Sequence, residues 1–175
     1  MNLADLFNDK SIQGKVKTEM LSKSLLSKEI TISDLIAFAK TQKDSPKATC
    51  IEALEFLTKQ QPGSLEKEHF AFIIESLKEK APRIKWESAK VMANTAQFHQ
   101  KALDKTIVNL LENTEHTGTV VRWSAAFALA EILKLKTTFY KDLLPAVENI
   151  LAVEEKNSIR KIYLVAIKKI TSKPK

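Results

Sequence analysis

The amino-acid sequence predicts an all-helical protein built from repeated pairs of helices. Apolar residues recur at spacings of three and four residues along most of the chain, as they do on one face of an α-helix. A pattern of roughly ten residues returns at intervals near 37 residues, which is typical of stacked helix pairs. Strand signals are missing, because alternating apolar and polar residues never persist and the dipeptides Asn-Gly and Asp-Gly do not occur.

The elements follow in order along a single domain of 175 residues. Residues 1–30 are predicted to form an N-terminal cap of one or two helices. Four helix pairs follow, over residues 31–61, 64–98, 100–135 and 138–172. Apolar stripes mark the first helices, with Leu35-Ile36 and Phe38, then Phe70, Ile73-Ile74 and Leu77, then Ile107-Val108 and Leu110-Leu111. Helix starts are predicted from N-caps at Ser33-Asp34 and Ser64 and from first-turn prolines at Pro46 and Pro82.

The second helices carry the internal repeat. The segment from Ile84 to Ala93 matches the segment from Val121 to Ala130 at an offset of 37 residues, with an apolar residue, a base and Trp at its start. A third copy begins at Ile159, at an offset of 38, and a weaker one at Ala48, at an offset of 36. This periodicity predicts an α-solenoid.

These residues resemble the HEAT-like repeat family of armadillo-type α-solenoids. Leu143-Leu144-Pro145 matches the family's first helix, and Val121-Arg122 with the small residues Ala125 and Ala126 matches its second helix. The resemblance covers residues 31–172 and implies a right-handed α-α superhelix with a concave surface. One departure concerns the Asp that pairs with the Arg in this family, because the turns 117–119 and 156–158 lack it.

The formal net charge of +7 at pH 7 is concentrated at the end of the chain. Residues 156–175 hold seven basic residues and no acid, whereas residues 1–155 hold 21 of each. This segment is either the solvated face of a terminal helix, which would give the stack a polar end, or a phosphate-binding surface. Five basic residues cluster at the starts of second helices. They either line a phosphate-binding row or make structural contacts with the adjacent turns: Arg83, Lys85, Arg122, Arg160 and Lys161.

Three features of the sequence indicate where the protein is located. No apolar run approaches the length of a membrane span, and the N-terminus lacks the features of a secretory signal. Because the chain has one Cys and no such signal, we expect a cytoplasmic protein.

No residue pattern predicts an active site, a metal site or a cofactor site. His69, His99 and His116 lie in different repeats or turns without a metal-binding spacing. Cys50, which the offset of 36 aligns with Trp86, is predicted to be a partly buried packing residue. Glu52 and Glu55 are expected on a solvated helix face.

The candidate binding residues are Trp86, Lys90, Trp123, Phe127 and Lys161. Equivalent positions in neighbouring repeats lie about 10 Å apart, so these side chains would form an aromatic and basic stripe if they face the concave surface. The alternative is that both indoles pack between repeats.

The sequence therefore predicts a non-catalytic scaffold that binds a protein or peptide on its concave surface. The alternative is a nucleic-acid-binding HEAT-like protein related to alkylpurine DNA glycosylases, which would use the basic C-terminal segment. The sequence does not favour this alternative, because Glu87 is the acid nearest to Trp86 and adjacent helical residues point in different directions. The oligomeric state does not follow from the sequence.

Overall fold

A computed structural model describes residues 1–172, which form ten α-helices, two short 3-10 turns and no β-strand. The helices are α1 (Leu3–Asn8), α2 (Gly14–Leu26), α3 (Ile32–Lys40), α4 (Asp44–Gln60), α5 (Lys67–Ser76), α6 (Pro82–Thr95), α7 (Leu103–Thr114), α8 (Thr119–Lys134), α9 (Tyr140–Val153) and α10 (Asn157–Thr171). The 3-10 turns, Ala96–Phe98 and Gln100–Ala102, join α6 to α7. Lys173 and Lys175, which belong to the predicted basic segment, lie outside the described residues.

The helices form five pairs, and the second helix of each pair (α2, α4, α6, α8 and α10) packs closely against the second helices of its neighbours. Helix α8 contacts α6 on one side, α10 on the other and its own first helix α7 behind. The helix is therefore covered from several sides. Ala125 and Ala126 are fully buried in these contacts, because small side chains let the helices approach closely.

The helix starts depart from the predicted caps. Helix α3 is capped by Thr31, whose hydroxyl accepts the N–H of Asp34 at 3.0 Å while the Asp34 carboxylate accepts the N–H of Thr31. Helix α5 is capped by Glu66 instead of Ser64. The predicted caps were wrong because several polar residues precede each helix, and only the backbone geometry selects one of them. Pro82 is the first residue of α6, as predicted, and Pro46 lies in the first turn of α4.

Each second helix has near its start a basic side chain that contacts the preceding helix or turn of its own repeat, the next repeat, or both. Lys85 donates to the carbonyl oxygen of Leu77, at the end of α5, at 2.9 Å and to Asn113 Oδ1, at the end of α7, at 2.7 Å. Arg122 donates to the carbonyl of His116 and to Glu154 Oε2, both at 3.0 Å. We call the row of these side chains the basic ladder, and its members are Lys17, Lys47, Lys85, Arg122 and Arg160.

The remaining members of the ladder occupy the same place in their repeats. Lys17 donates to the carbonyl of Asp9 at 2.8 Å, and Arg160 donates to the carbonyls of Leu151 at 2.6 Å and Glu154 at 2.9 Å. Lys47 pairs with Glu79 of the next repeat.

Two sequence-based expectations change as a result. The ladder places Lys47 in register with Lys85, so the first repeat aligns at an offset of 38 residues instead of 36. Glu154 supplies the carboxylate that the turns at 117–119 and 156–158 lack, so Arg122 keeps an acidic partner in the neighbouring repeat.

The ion pair between Arg122 and Glu154 predicts a pH-dependent contribution to stability. Burial tends to raise the pKa of Glu154, but hydrogen bonds from the Lys156 N–H and from Arg122, together with the Arg122 charge, lower it below its ordinary value of 4.5. A carboxyl with a lowered pKa stabilises the folded chain above its ordinary pKa, and this stabilisation is lost as the pH falls through the folded value. We expect Glu154→Gln to lower the free energy of unfolding by about 2 kcal/mol at neutral pH.

Urea denaturation from neutral pH down to about pH 3.5 measures this effect, and the deficit of the variant should shrink toward acid pH. Glu148→Gln, an exposed position on α9, the helix that Glu154 follows, is the control and should change stability little. A deficit of equal size at every pH would contradict the role of the Glu154 charge.

Tyr163 provides a second test, because its side chain is fully buried and its hydroxyl has no hydrogen-bond partner among the described residues. Tyr163→Phe removes an unsatisfied polar group without leaving a large cavity, so stability should stay equal or rise by up to about 1 kcal/mol. Tyr163→Ala, which empties the same space, should cost about 3–5 kcal/mol. A marked loss of stability in the Phe variant, measured by denaturation, would show that the hydroxyl is bonded in solution.

Candidate functional site

The exposed side chains of the second helices form one surface, on the side of the layer away from the first helices. On α8 the exposed Val120 and Trp123 and the half-buried Phe127, Glu131 and Lys134 recur at spacings of three and four residues. Because α6, α7 and α10 cover the rest of α8, this stripe is the part of the helix that solvent and a partner can reach. We call the surface made by such stripes on the second helices α2, α4, α6, α8 and α10 the second-helix face.

An aromatic pair lies at the centre of the α8 stripe. The rings of Trp123 and Phe127 stack with centroids 5.7 Å apart and planes inclined by 15°. Trp123 is 39% exposed, so its indole is not packed between repeats. The one-turn spacing of the two residues allows this stacking, because side chains at i and i+4 lie on the same side of a helix.

On α6, Trp86 and Lys90 contact acids that lie buried beneath the face. The Trp86 indole N–H donates to Glu87 Oε1, and Lys90 lies 2.9 Å from Glu87 Oε2 and 3.6 Å from Glu55 Oε2. Burial opposes the charge of Lys90, but the hydrogen bond from Lys90 to Glu87 and the charges of Glu87 and Glu55 raise its pKa. Lys90 is therefore charged but already neutralised. Glu55 is buried between these groups, so the expectation of a solvated carboxylate was wrong for this residue.

A second pair on the face links α4 to α6. Arg83 lies 2.7 Å from Glu52 Oε2, and the same oxygen accepts a hydrogen bond from the Thr18 hydroxyl at 2.7 Å. Arg83 is thus engaged across the helix layer instead of standing in a phosphate-binding row. These pairs are not predicted by local sequence patterns, because their partners lie about one repeat apart in the chain. Opposite charges separated by about one repeat are the signal that would have indicated them.

Helix α10 continues the face with a different charge balance. The ladder aligns Arg122 with Arg160, so Trp123 aligns with Lys161 and Phe127 with Val165. Lys161 is exposed, and so are Lys168 and Lys169. Leu164 is 50% and Val165 67% exposed, so the end of the stack is less polar than predicted.

The three histidines serve local structure. His69 Nδ1 accepts the N–H of Glu66 at 3.2 Å while Nε2 lies 2.9 Å from the Ser33 hydroxyl. Glu66, Glu68 and His69 place possible metal-binding atoms within 4.8 Å of one another, but these two hydrogen bonds occupy both nitrogens of the imidazole. His99 contacts the carbonyl of Leu65 at 3.1 Å, and His116 accepts the N–H of Gly118 at 2.8 Å.

A groove of about 610 Å³ lies apart from the second-helix face, between the turn that joins α7 to α8 and the end of α9. Its walls include His116, Ile150 and Val153, and the ion pair of Arg122 and Glu154 lines it. These charged groups neutralise each other.

None of the helices in the described part of the chain combines the length and apolar character of a membrane span.

Comparison with known proteins identifies the fold. No protein-family model and no curated protein matches the sequence. A designed armadillo repeat protein in complex with the peptide (KR)4 superposes with a TM-score of 0.73, at 17% identity, over 97% of this chain and 80% of that one. Computationally designed armadillo repeat proteins for modular peptide recognition give a TM-score of 0.70, at 16% identity, over 95% and 80%.

The complex of CpcE and CpcF of phycocyanin lyase from Nostoc sp. PCC7120 gives a TM-score of 0.59, at 17% identity, over 86% of this chain and 97% of that one. At these identities the similarity shows the fold alone. The chain has an armadillo/HEAT-type helical repeat fold, as the sequence predicted.

The environment of Cys50 predicts an unreactive thiol. The side chain is fully buried, which raises the pKa of the thiol to about 12. Because the thiolate is the reactive species, the folded chain should react very slowly with a thiol-specific reagent at neutral pH. Absorbance measurements with such a reagent should detect its one thiol only after denaturant is added. Rapid labelling of the folded chain would contradict the burial of Cys50.

Proposed function

We propose that this chain is a non-catalytic scaffold that binds a protein or peptide on its second-helix face. The stacking of the exposed Trp123 on the half-buried Phe127 is the observation that carries the proposal. Large aromatic side chains supply much of the binding energy at protein interfaces when a partner buries them. The two rings are already ordered by their mutual contact, so little conformational entropy is lost when a partner covers them.

The charged groups around the aromatic pair support a binding surface in preference to a catalytic one. Arg83 and Lys90 are satisfied by Glu52, Glu55 and Glu87. This network holds α4 and α6 together and offers no unpaired acid or base beside a nucleophile. It also gives a polar border to the aromatic pair, as interfaces commonly have around their apolar centre.

The fold of designed peptide-binding proteins supports the same proposal, because those proteins share this helical repeat architecture. The nucleic-acid alternative is less favoured, since Arg83 and Lys90 are paired with acids and only the basic C-terminal segment would be left to contact a phosphate backbone. The absence of catalysis and the cytoplasmic location stay predictions.

Selection from a library of random peptides displayed on phage tests the proposal. We expect the wild-type chain to enrich a family of peptides, and the double variant Trp123→Ala with Phe127→Ala to bind them at least about thirtyfold more weakly. This corresponds to a loss of about 2 kcal/mol from two aromatic contacts. Isothermal titration calorimetry with the selected peptides gives the dissociation constants.

Val108→Ala is the matched control, because Val108 is an apolar residue, 55% exposed, on the first helix α7 and not on the second-helix face. Its peptide affinity should be unchanged. Urea denaturation of all variants excludes a loss of folding as the cause of weaker binding. The proposal fails if no peptide is enriched, or if the enriched peptides bind the double aromatic variant as well as the wild type.

A further inference from the structure

The charges on the second-helix face change character along the stack. On α6 and α8 each base of the face lies against an acid, as Arg83 does with Glu52, Lys90 with Glu87 and Lys134 with Glu131. Lys59, exposed at the end of α4, has no carboxylate within ion-pair distance among residues 1–172. Helix α10 carries no acid at all. Among residues 1–172, no carboxylate lies within ion-pair distance of Lys161, Lys168 or Lys169. Of the two second helices that pack against α8, only α10 therefore offers a partner unpaired cationic charge.

The register of the ladder brings these lysines next to the aromatic pair. Because Arg122 aligns with Arg160, Lys161 occupies the position of Trp123 on the neighbouring helix, and Val165 occupies that of Phe127. One turn further along, Lys169 occupies the position of Glu131. Neighbouring packed helices lie about 10 Å apart, so an apolar centre and a cationic border adjoin each other on one surface.

One of the exposed apolar residues on α10 lies next to the aromatic pair. Val165 is 67% exposed and stands between Lys161 and Lys169 at helical spacings of four residues. A partner that only neutralised the lysines, such as a phosphate backbone, would leave this valine and the neighbouring Trp123 in water. A chain that carries both apolar side chains and carboxylates would satisfy both kinds of group.

Resting on the proposed function, we infer that the partner segment is an acidic peptide that places an apolar anchor on Trp123 and Phe127 and carboxylates on Lys161 and Lys169. The distance between neighbouring helices is about 10 Å, and an extended peptide rises about 3.3 Å per residue. The nearest acid should therefore lie about three residues from the anchor. A basic peptide such as (KR)4, which the designed protein binds, fits this end of the face poorly.

The test uses the full-length chain and the same phage library. The enriched peptides are expected to contain an aromatic or aliphatic residue with Asp or Glu about three positions away. Each selected peptide is also synthesised with its acids replaced by the corresponding amides, which should weaken binding about tenfold. The double variant Lys161→Glu with Lys169→Glu should weaken binding at least tenfold, about 1.4 kcal/mol, and Lys161→Gln with Lys169→Gln should have a smaller effect.

The matched control is Lys101→Glu with Lys105→Glu, which changes the net charge equally at exposed positions before and on α7. It should leave the affinity for the selected peptides unchanged. The peptide (KR)4, vesicles containing phosphatidylserine and duplex DNA are titrated in parallel, and each should bind more weakly than the selected acidic peptides.

The outcomes separate this inference from the proposed function. Neutral or basic selected peptides that still require Trp123 and Phe127 would overturn the acidic preference and leave the scaffold proposal standing. Failure to select any peptide that depends on the aromatic pair would overturn both. Tighter, Lys161-dependent binding of the vesicles or the DNA would overturn the inference in favour of an anionic surface.

Discussion

The basic ladder is the interaction on which the rest of the architecture depends. The last carbonyl groups of a helix have no partner within that helix, and a base at the start of the following helix can satisfy them. Lys85 does this for Leu77 at the end of α5, and Arg122 bonds the carbonyl of His116 in the turn after α7. Each also contacts an acceptor in the next repeat, so one side chain joins the two helices of a pair and links that pair to its neighbour. The second helices can then pack through residues as small as Ala125 and Ala126.

The register of the repeats decides what the exposed face presents. It places charges from neighbouring repeats opposite each other on α4 and α6, so Arg83 and Lys90 find acids across the helix layer. The register also sets Lys161 beside Trp123, at the end of the stack where no further described helix can supply a carboxylate. The ion pairs between α4 and α6 and the unpaired charge on α10 thus both follow from the register of the repeats. The proposed binding surface spans the boundary between them.

The periodicity of the sequence predicted much of this, and its failures are specific. The offsets of 37 and 38 residues correctly related Lys85, Arg122 and Arg160, because Trp or a base gives those copies a distinctive start. The first copy was placed two residues out of register. Its small apolar residues around Cys50 can slide along a helical pattern without losing agreement, and only the contact of Lys47 with Glu79 fixes it. The helix caps failed for a similar reason, since Thr31 and Ser33 are both suitable residues.

The sequence by itself determined the all-helical class, the repeat and the position of the excess charge, because each depends on residues close together in the chain. Trp123, Phe127 and Lys161 could be picked out in the same way. The tertiary structure alone decided that Lys90 is neutralised by Glu55, that Glu154 replaces the missing Asp, and that Trp123 is exposed. These outcomes depend on which side chain of another repeat lies opposite. Local periodicity shows which side of a helix is apolar, but it does not identify the groups that a neighbouring repeat brings to the other sides.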